Sequence, residues 1–168
     1  IVELIEATGK IEKYLTKEYI SVFELSTEDV VSLIEKTGKI DKYLTTRNIQ
    51  RFNIPSQYIV RLIKRTGNVE KYFTLENIVS YRLYREDIVE LIIATGKIEK
   101  YLTKEYKEKF AFLPDHIVEL IKATGKIEQY LTKKNIEDLG LGSYYVMELI
   151  KATGKIEQFI TSEIIKAA

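Results

Sequence analysis

Apolar and polar positions along this chain follow a helical period. In Thr27-Glu-Asp-Val-Val-Ser-Leu-Ile-Glu-Lys-Thr-Gly38 the apolar residues Val30, Val31, Leu33 and Ile34 cover one broad helical face. Gly38 then supplies the left-handed residue that ends a helix, predicting a first helix of about ten residues. Beyond it Ile40, Tyr43 and Leu44 stand at i, i+3 and i+4, the spacing of a short second amphipathic helix. A threonine follows in every copy of this pattern: Thr16, Thr45, Thr74, Thr103, Thr132 and Thr161. Its hydroxyl suits the cap of a further segment such as Thr74-Leu-Glu-Asn-Ile-Val-Ser-Tyr81, where Ile78 and Tyr81 face inward three apart. The second helix is therefore expected to be kinked or split at the threonine.

The pattern recurs along the whole length. Gly9, Gly38, Gly67, Gly96, Gly125 and Gly154 are each 29 residues after the last, and near-copies of Ile88-Val-Glu-Leu-Ile-Ile-Ala-Thr-Gly-Lys-Ile-Glu-Lys-Tyr-Leu-Thr103 surround them. A fixed period of this length marks a repeat array whose units bury their apolar faces against their neighbours. The expected fold is all-α, an α-solenoid of six helical hairpins over residues 1–26, 27–55, 56–84, 85–113, 114–142 and 143–168. Thr27, Ser56 and Ser143 are expected as N-caps; Glu28, Asp29, Glu86, Asp87 and Asp115 place negative charge on the first turn, and Pro114 suits a helix start. Ile1 falls at the position of Val30, Ile59, Ile88, Ile117 and Val146, inside a helix. The expectation is a fragment of a longer array, or terminal repeats that stack end to end on another surface.

Composition narrows the chemistry. With 45% apolar and 30% charged residues in 168, the chain has enough to bury a core. A formal net charge of +1 gives no blanket attraction to nucleic acid or a membrane surface, so local patches must carry any such function. The absence of cysteine removes disulfides, thiolate catalysis and sulfur-ligated zinc. No apolar run reaches the roughly 18 residues that would span a bilayer, and an intracellular, soluble chain with no membrane partner is expected.

Catalytic signals are missing. His116 is the only histidine, at the position of Asp29, Tyr58, Asp87 and Tyr145, and is expected as an exposed loop residue. No nucleophile elbow, phosphate-binding glycine loop or dinucleotide fingerprint is present, so no catalytic residue, metal ligand or cofactor is expected. The acids Glu12, Asp41, Glu70, Glu99, Glu128 and Glu157 open the second helix, where they are expected to complement its dipole.

Three sets of residues are candidates for binding. The row Lys10, Lys39, Asn68, Lys97, Lys126 and Lys155 follows Thr-Gly and stands between one helix C-terminus and the N–H groups opening the next, where an ammonium and backbone donors would meet a phosphate. The same lysine also solvates a helix C-terminus without any ligand. Lys42, Arg47, Arg51, Arg61, Lys64 and Arg65 lie in a stretch without acids, a basic segment inside a neutral chain, with Tyr43, Phe52, Tyr58 and Tyr72 beside it as rings for stacking or for the core. Ser21, Gln50, Val79, Glu108 and Glu137 share one position of the repeat and nothing else. The sets Val22, Arg51, Ser80, Lys109, Asp138 and Glu24, Asn53, Arg82, Ala111, Gly140 are equally mixed. A fixed frame with variable outward positions is how repeat proteins recognise partners.

The run Glu28-Asp-Val-Val-Ser-Leu-Ile-Glu-Lys-Thr-Gly-Lys39 resembles the first helix and interhelical loop of transcription-activator-like effector repeats. That resemblance implies a superhelix wound around DNA, with Gly-Lys residues on phosphate. It covers the first half of each unit; the period is shorter than the family's, and the base-reading place is occupied by Thr8, Thr37, Thr66, Thr95, Thr124 and Thr153, which do not vary. Mitochondrial termination-factor repeats are similar in size and layout, but their proline after the first helix is absent. The function expected first is a non-catalytic scaffold that binds a protein partner; the alternative is a nucleic-acid-binding array using the Thr-Gly-Lys loops.

Overall fold

In a computed structural model the chain is helical, and residues 1–160 and 162–167 are described. No strand occurs among them. Three kinds of helix alternate. The long ones are Val2–Ala7, Thr27–Lys36, Ser56–Arg65, Arg85–Thr95, Pro114–Ala123 and Ser143–Thr153. Each is followed by a single turn of helix: Ile11–Tyr14, Ile40–Tyr43, Val69–Tyr72, Ile98–Tyr101, the 3-10 turn Ile127–Tyr130, and Ile156–Phe159. The third kind comprises Lys17–Val22, Thr46–Arg51, Leu75–Ser80, Lys104–Phe110, Lys133–Leu139 and Ser162–Ala167. The expected hairpin is thus a three-helix unit.

The split falls at the threonine because its hydroxyl takes a free amide in the first turn of the third helix, three residues on. Thr16 Oγ1 accepts from Tyr19 N–H at 3.3 Å, Thr45 from Asn48 at 3.3 Å, Thr74 from Asn77 at 3.2 Å, Thr103 from Tyr106 at 3.3 Å and Thr132 from Asn135 at 3.3 Å. Thr161, expected to do the same, lies outside the described residues.

The chain divides into two compact units, Ile1–Asp87 and Ile88–Ala168. In the first, Val2–Ala7 packs on Thr27–Lys36, which packs on Ser56–Arg65. Leu33, Ile34, Ile59, Leu62 and Ile63 are sealed there at 0% exposure. In the second, Pro114–Ala123 packs on Ser143–Thr153, while Lys133–Leu139 packs on both Lys104–Phe110 and Ser162–Ala167. Ile117, Leu120, Ile121 and Ile136 are the sealed core of that unit. Tyr43, Tyr72, Tyr101, Tyr130 and Phe159 are buried beside these cores, one ring from each of five short helices, whereas Tyr14 of the first is half-buried.

The long helices begin one residue earlier than the hydroxyl pattern suggests. Ser26, not Thr27, caps its helix: Ser26 Oγ accepts from Asp29 N–H at 3.2 Å and Asp29 Oδ2 accepts from Ser26 N–H at 2.9 Å, a capping box. The Ser26 hydroxyl, and then its backbone amide, hold the Asp29 carboxyl below its usual range. Ser56 and Ser143 are the first helical residues after Pro55 and Gly142, which cap without side-chain bonds. The reason is the preceding turn, which uses Asn53–Ile54 and Gly140–Leu141 and leaves one extended residue before the helix.

That turn is a Schellman motif. Leu25, Ile54, Leu83, Phe112 and Leu141 each donate an amide hydrogen bond of 2.9–3.0 Å five residues back, to Ile20, Ile49, Ile78, Lys107 and Ile136. The residue before each is left-handed: Glu24 at φ 50°, Asn53 at 49°, Arg82 at 53°, Ala111 at 51° and Gly140 at 61°. Asn and Gly adopt this backbone readily; Glu, Arg and Ala do so at a cost.

His116 is a second correction. It is buried at 7% exposure, not exposed, and its Nδ1 accepts from Leu113 N–H at 3.1 Å. It does for its helix what Asp29 does for Ser26 and what Asp87 Oδ2 does for Tyr84 N–H at 2.8 Å.

Leu62→Ala is expected to cost about 2–5 kcal/mol in urea denaturation, whereas Leu4→Ala, at an equivalent position but 68% exposed, should cost under about 0.5 kcal/mol. Arg82→Gly is expected to leave the fold intact and raise stability by up to about 1 kcal/mol in the same assay, by relieving the left-handed backbone.

Candidate functional site

The Thr-Gly-Lys turn is built around one hydroxyl. Thr37 Oγ1 donates to Ile34 O at 2.6 Å, closing the end of the long helix, and accepts from Lys39 N–H at 3.0 Å, opening the short one. Gly38, at φ 65°, lets the chain reverse between the two bonds. Thr8, Thr66, Thr95, Thr124 and Thr153 make the same pair of bonds, the second from the amides of Lys10, Asn68, Lys97, Lys126 and Lys155 at 3.0–3.1 Å. The first amide that a phosphate would have met is therefore spent inside the turn.

The lysine side chains reach back to the acids of the preceding copy. Lys39 Nζ lies 2.5 Å from Glu12, Lys126 2.6 Å from Glu99 and Lys155 2.6 Å from Glu128. Where the third copy has Asn68 the pairing is kept by other groups: Lys71 Nζ lies 2.7 Å from Asp41, and Tyr72 Oη donates to the same carboxylate. Lys42 also pairs with Glu12. The Lys39 ammonium first, and Lys42 second, lower the Glu12 carboxyl to about 2; Lys126 lowers Glu99, and Lys71 and then Tyr72 lower Asp41. The acids expected to complement a helix dipole are thus also partners in ion pairs between copies. Lys10 sits in the first turn of this kind, exposed, in a groove that Lys36, Thr37 and Lys39 also line.

The basic segment does not form one surface. Arg61 is held bidentate on Glu35 at 2.9 and 2.6 Å and reaches Glu28 at 2.6 Å, and Arg65 approaches Glu35 at 3.6 Å. These carboxylates, Glu35 first, push the Arg61 guanidinium further up. Lys42 lies on Glu12, beside the Tyr43 ring at 5.9 Å. Arg51 is 5.6 Å from the Phe52 ring and only distantly paired with Glu18 at 3.9 Å. Arg47 and Lys64 are exposed, Arg47 on the third helix of its copy and Lys64 on the long one. Tyr43, Phe52 and Tyr72 are buried, so their faces are closed to a stacked base.

The variable rows are where the structure opens to solvent. Ser21, Gln50, Val79, Glu108 and Glu137 are all exposed, each on the third helix of its copy, Val79 at 76%. Val22 beside them is 73% exposed. The left-handed row, from Glu24 to Gly140, is exposed throughout. A further row went unnoticed in the sequence: Ser26, Pro55, Tyr84, Leu113 and Gly142 immediately precede the long helices and vary as much, with Tyr84 68% and Leu113 50% exposed. In the unit Ile1–Asp87 these rows border a groove of about 520 Å³, floored by Ile49, Ile54 and Tyr81 and walled by Gln50, Asn53, Arg82 and Tyr84.

Among the described residues no group of three or more His, Cys, Asp or Glu is placed to hold a metal ion, and no helix is long and apolar enough to cross a membrane. The single histidine spends Nδ1 on a helix cap. No family model, no curated protein and no solved structure matches the chain.

Thr37→Val keeps the shape and removes the hydroxyl; it is expected to cost about 1 kcal/mol in urea denaturation. Glu12, Asp41 and Glu99 have depressed carboxyls, so their contribution is present above the usual carboxylate range and is lost as pH falls below it, for Glu12 from 4.5 down through the folded value of about 2. Melting temperature is accordingly expected to drop across that window, and Glu12→Gln to flatten the drop; a melting curve independent of pH there would remove the ion pairs from the account.

Proposed function

We propose that this chain is a non-catalytic binding scaffold, an α-solenoid of six 29-residue repeats that holds a protein partner on the copy-specific positions of its third helices and inter-repeat turns. The observation that carries this is a division of labour. Positions that repeat between copies are turned inward or paired with each other, whereas Ser21, Gln50, Val79, Glu108 and Glu137 are exposed at one and the same place. Packing of long helix on long helix within each unit supports the solenoid, since each repeat then covers the next. Exposed Val22 and Val79 supply apolar anchors, and the mixed charges around them supply selectivity.

Phosphate contact through the Thr-Gly-Lys loops is the second function to be weighed, and the geometry supports it less. Lys39, Lys126 and Lys155 would have to leave Glu12, Glu99 and Glu128, and their amides are already bonded to threonine.

Fluorescence anisotropy of the chain against duplex DNA, single-stranded DNA and RNA at low salt is expected to show no saturable binding. Binding that falls steeply with salt and disappears when Lys39, Lys97 and Lys126 are changed to glutamate would overturn the scaffold in favour of a phosphate ladder. A protein captured by the chain is expected to be lost on Gln50→Arg combined with Val79→Asp and kept on Lys39→Glu.

A further inference from the structure

We propose that the groove between the turns of the second and third repeats is a docking site for an extended acidic peptide segment. The inference rests on the scaffold function above and names the partner's chemistry at one place. Its floor is apolar, Ile49, Ile54 and Tyr81, each at most 5% exposed. Its walls carry Gln50, Asn53 and Gln57, whose amide groups both donate and accept, the combination that satisfies the backbone of an extended chain. A single charged side chain lines it, Arg82, and no carboxylate does.

One carboxylate stands at the rim, Asp87, whose Oδ2 accepts from Tyr84 N–H at 2.8 Å. Of the six cations that the sequence gathers between Lys42 and Arg65, Lys42, Arg61 and Arg65 are bound to Glu12, Glu28 and Glu35. Arg47 and Arg51 belong instead to the helix Thr46–Arg51 that contributes Gln50 to the groove wall, and that helix contains no acid. Arg51 lies 3.9 Å from Glu18, so Arg47, exposed on that helix, and Arg82 in the lining supply the positive charge that complements carboxylates. Tyr84, 68% exposed at the rim, offers a ring and a hydroxyl to a side chain of the guest. Arg82 is also the residue held left-handed at φ 53° where its counterparts include Asn and Gly, so the tight turn fixes its backbone at the mouth of the groove.

The test is selection of random 12-residue peptides displayed on phage against the full chain, followed by anisotropy titration of the enriched peptides. Peptides rich in Asp and Glu are expected, with affinity reduced about tenfold by Arg82→Asn and lowered by added salt, but unchanged by Glu119→Lys, an exposed position on the long helix Pro114–Ala123. Asn suits the left-handed backbone, so a loss of binding by this variant does not report unfolding; circular dichroism of both variants confirms the fold. Enriched peptides without acids, or acidic ones indifferent to Arg82→Asn, would overturn the groove while leaving the scaffold function in place. No enrichment above an unrelated helical protein would remove both. Competition by RNA or DNA that is likewise lost on Arg82→Asn would overturn the peptide in favour of nucleic acid.

Discussion

Everything in this chain hangs on a threonine hydroxyl that bonds in two directions. Donating to the carbonyl three residues before it, and accepting from the amide two residues after it, Thr37 ends one helix and starts the next across a single left-handed glycine. A turn so short leaves the long and short helices no freedom of relative direction, and the same pair of bonds recurs at Thr8, Thr66, Thr95, Thr124 and Thr153. Once that angle is set, Val2–Ala7, Thr27–Lys36 and Ser56–Arg65 pack in succession, as do Pro114–Ala123 and Ser143–Thr153, and Lys39, Lys126 and Lys155 reach Glu12, Glu99 and Glu128 of the copies before them. The threonine is constant between copies because both its bonds are internal.

The charged rows then act as a second lattice over the apolar one. Pairs exposed at the surface stabilise little individually, but here they set register: Glu12 meets Lys39 and Lys42, Glu99 meets Lys126, and Glu128 meets Lys155. The replacement of one lysine by Asn68 shows the lattice adjusting, with Lys71 and Tyr72 taking over at Asp41. The copy-specific positions Ser21, Gln50, Val79, Glu108 and Glu137 lie outside that lattice, exposed on the third helices.

Much of this was legible in the sequence, and the rest was not for physical reasons. The long helices, the glycine turns and the break at Thr45 or Thr74 announce themselves because local periodicity and capping chemistry are local properties. Ser26 and Thr27 are both hydroxyls, so the cap could not be placed until the preceding Schellman turn was seen to end at Leu25. His116 hid behind its rarity: the acids at Asp29 and Asp87 were the clue to a capping position, but a lone imidazole in that row does not announce itself. The pairing of Lys39 with Glu12 spans 27 residues, and only packing reveals which rows face each other. The left-handed row was the least visible, since Glu24, Arg82 and Ala111 go against local preference and only Asn53 and Gly140 follow it. The groove beside Arg82 arises from two successive turns of that row and has no signature of its own.

The most direct test of the account is amide hydrogen exchange at Lys10, Lys39, Asn68, Lys97, Lys126 and Lys155, followed residue by residue by NMR. The threonine clamp predicts that all six amides exchange more slowly than in an unstructured peptide, and that Thr37→Val accelerates Lys39 while leaving Lys126 unchanged. Six amides exchanging at unprotected rates would contradict it, and would return the Thr-Gly-Lys turns to the list of places where a ligand is held.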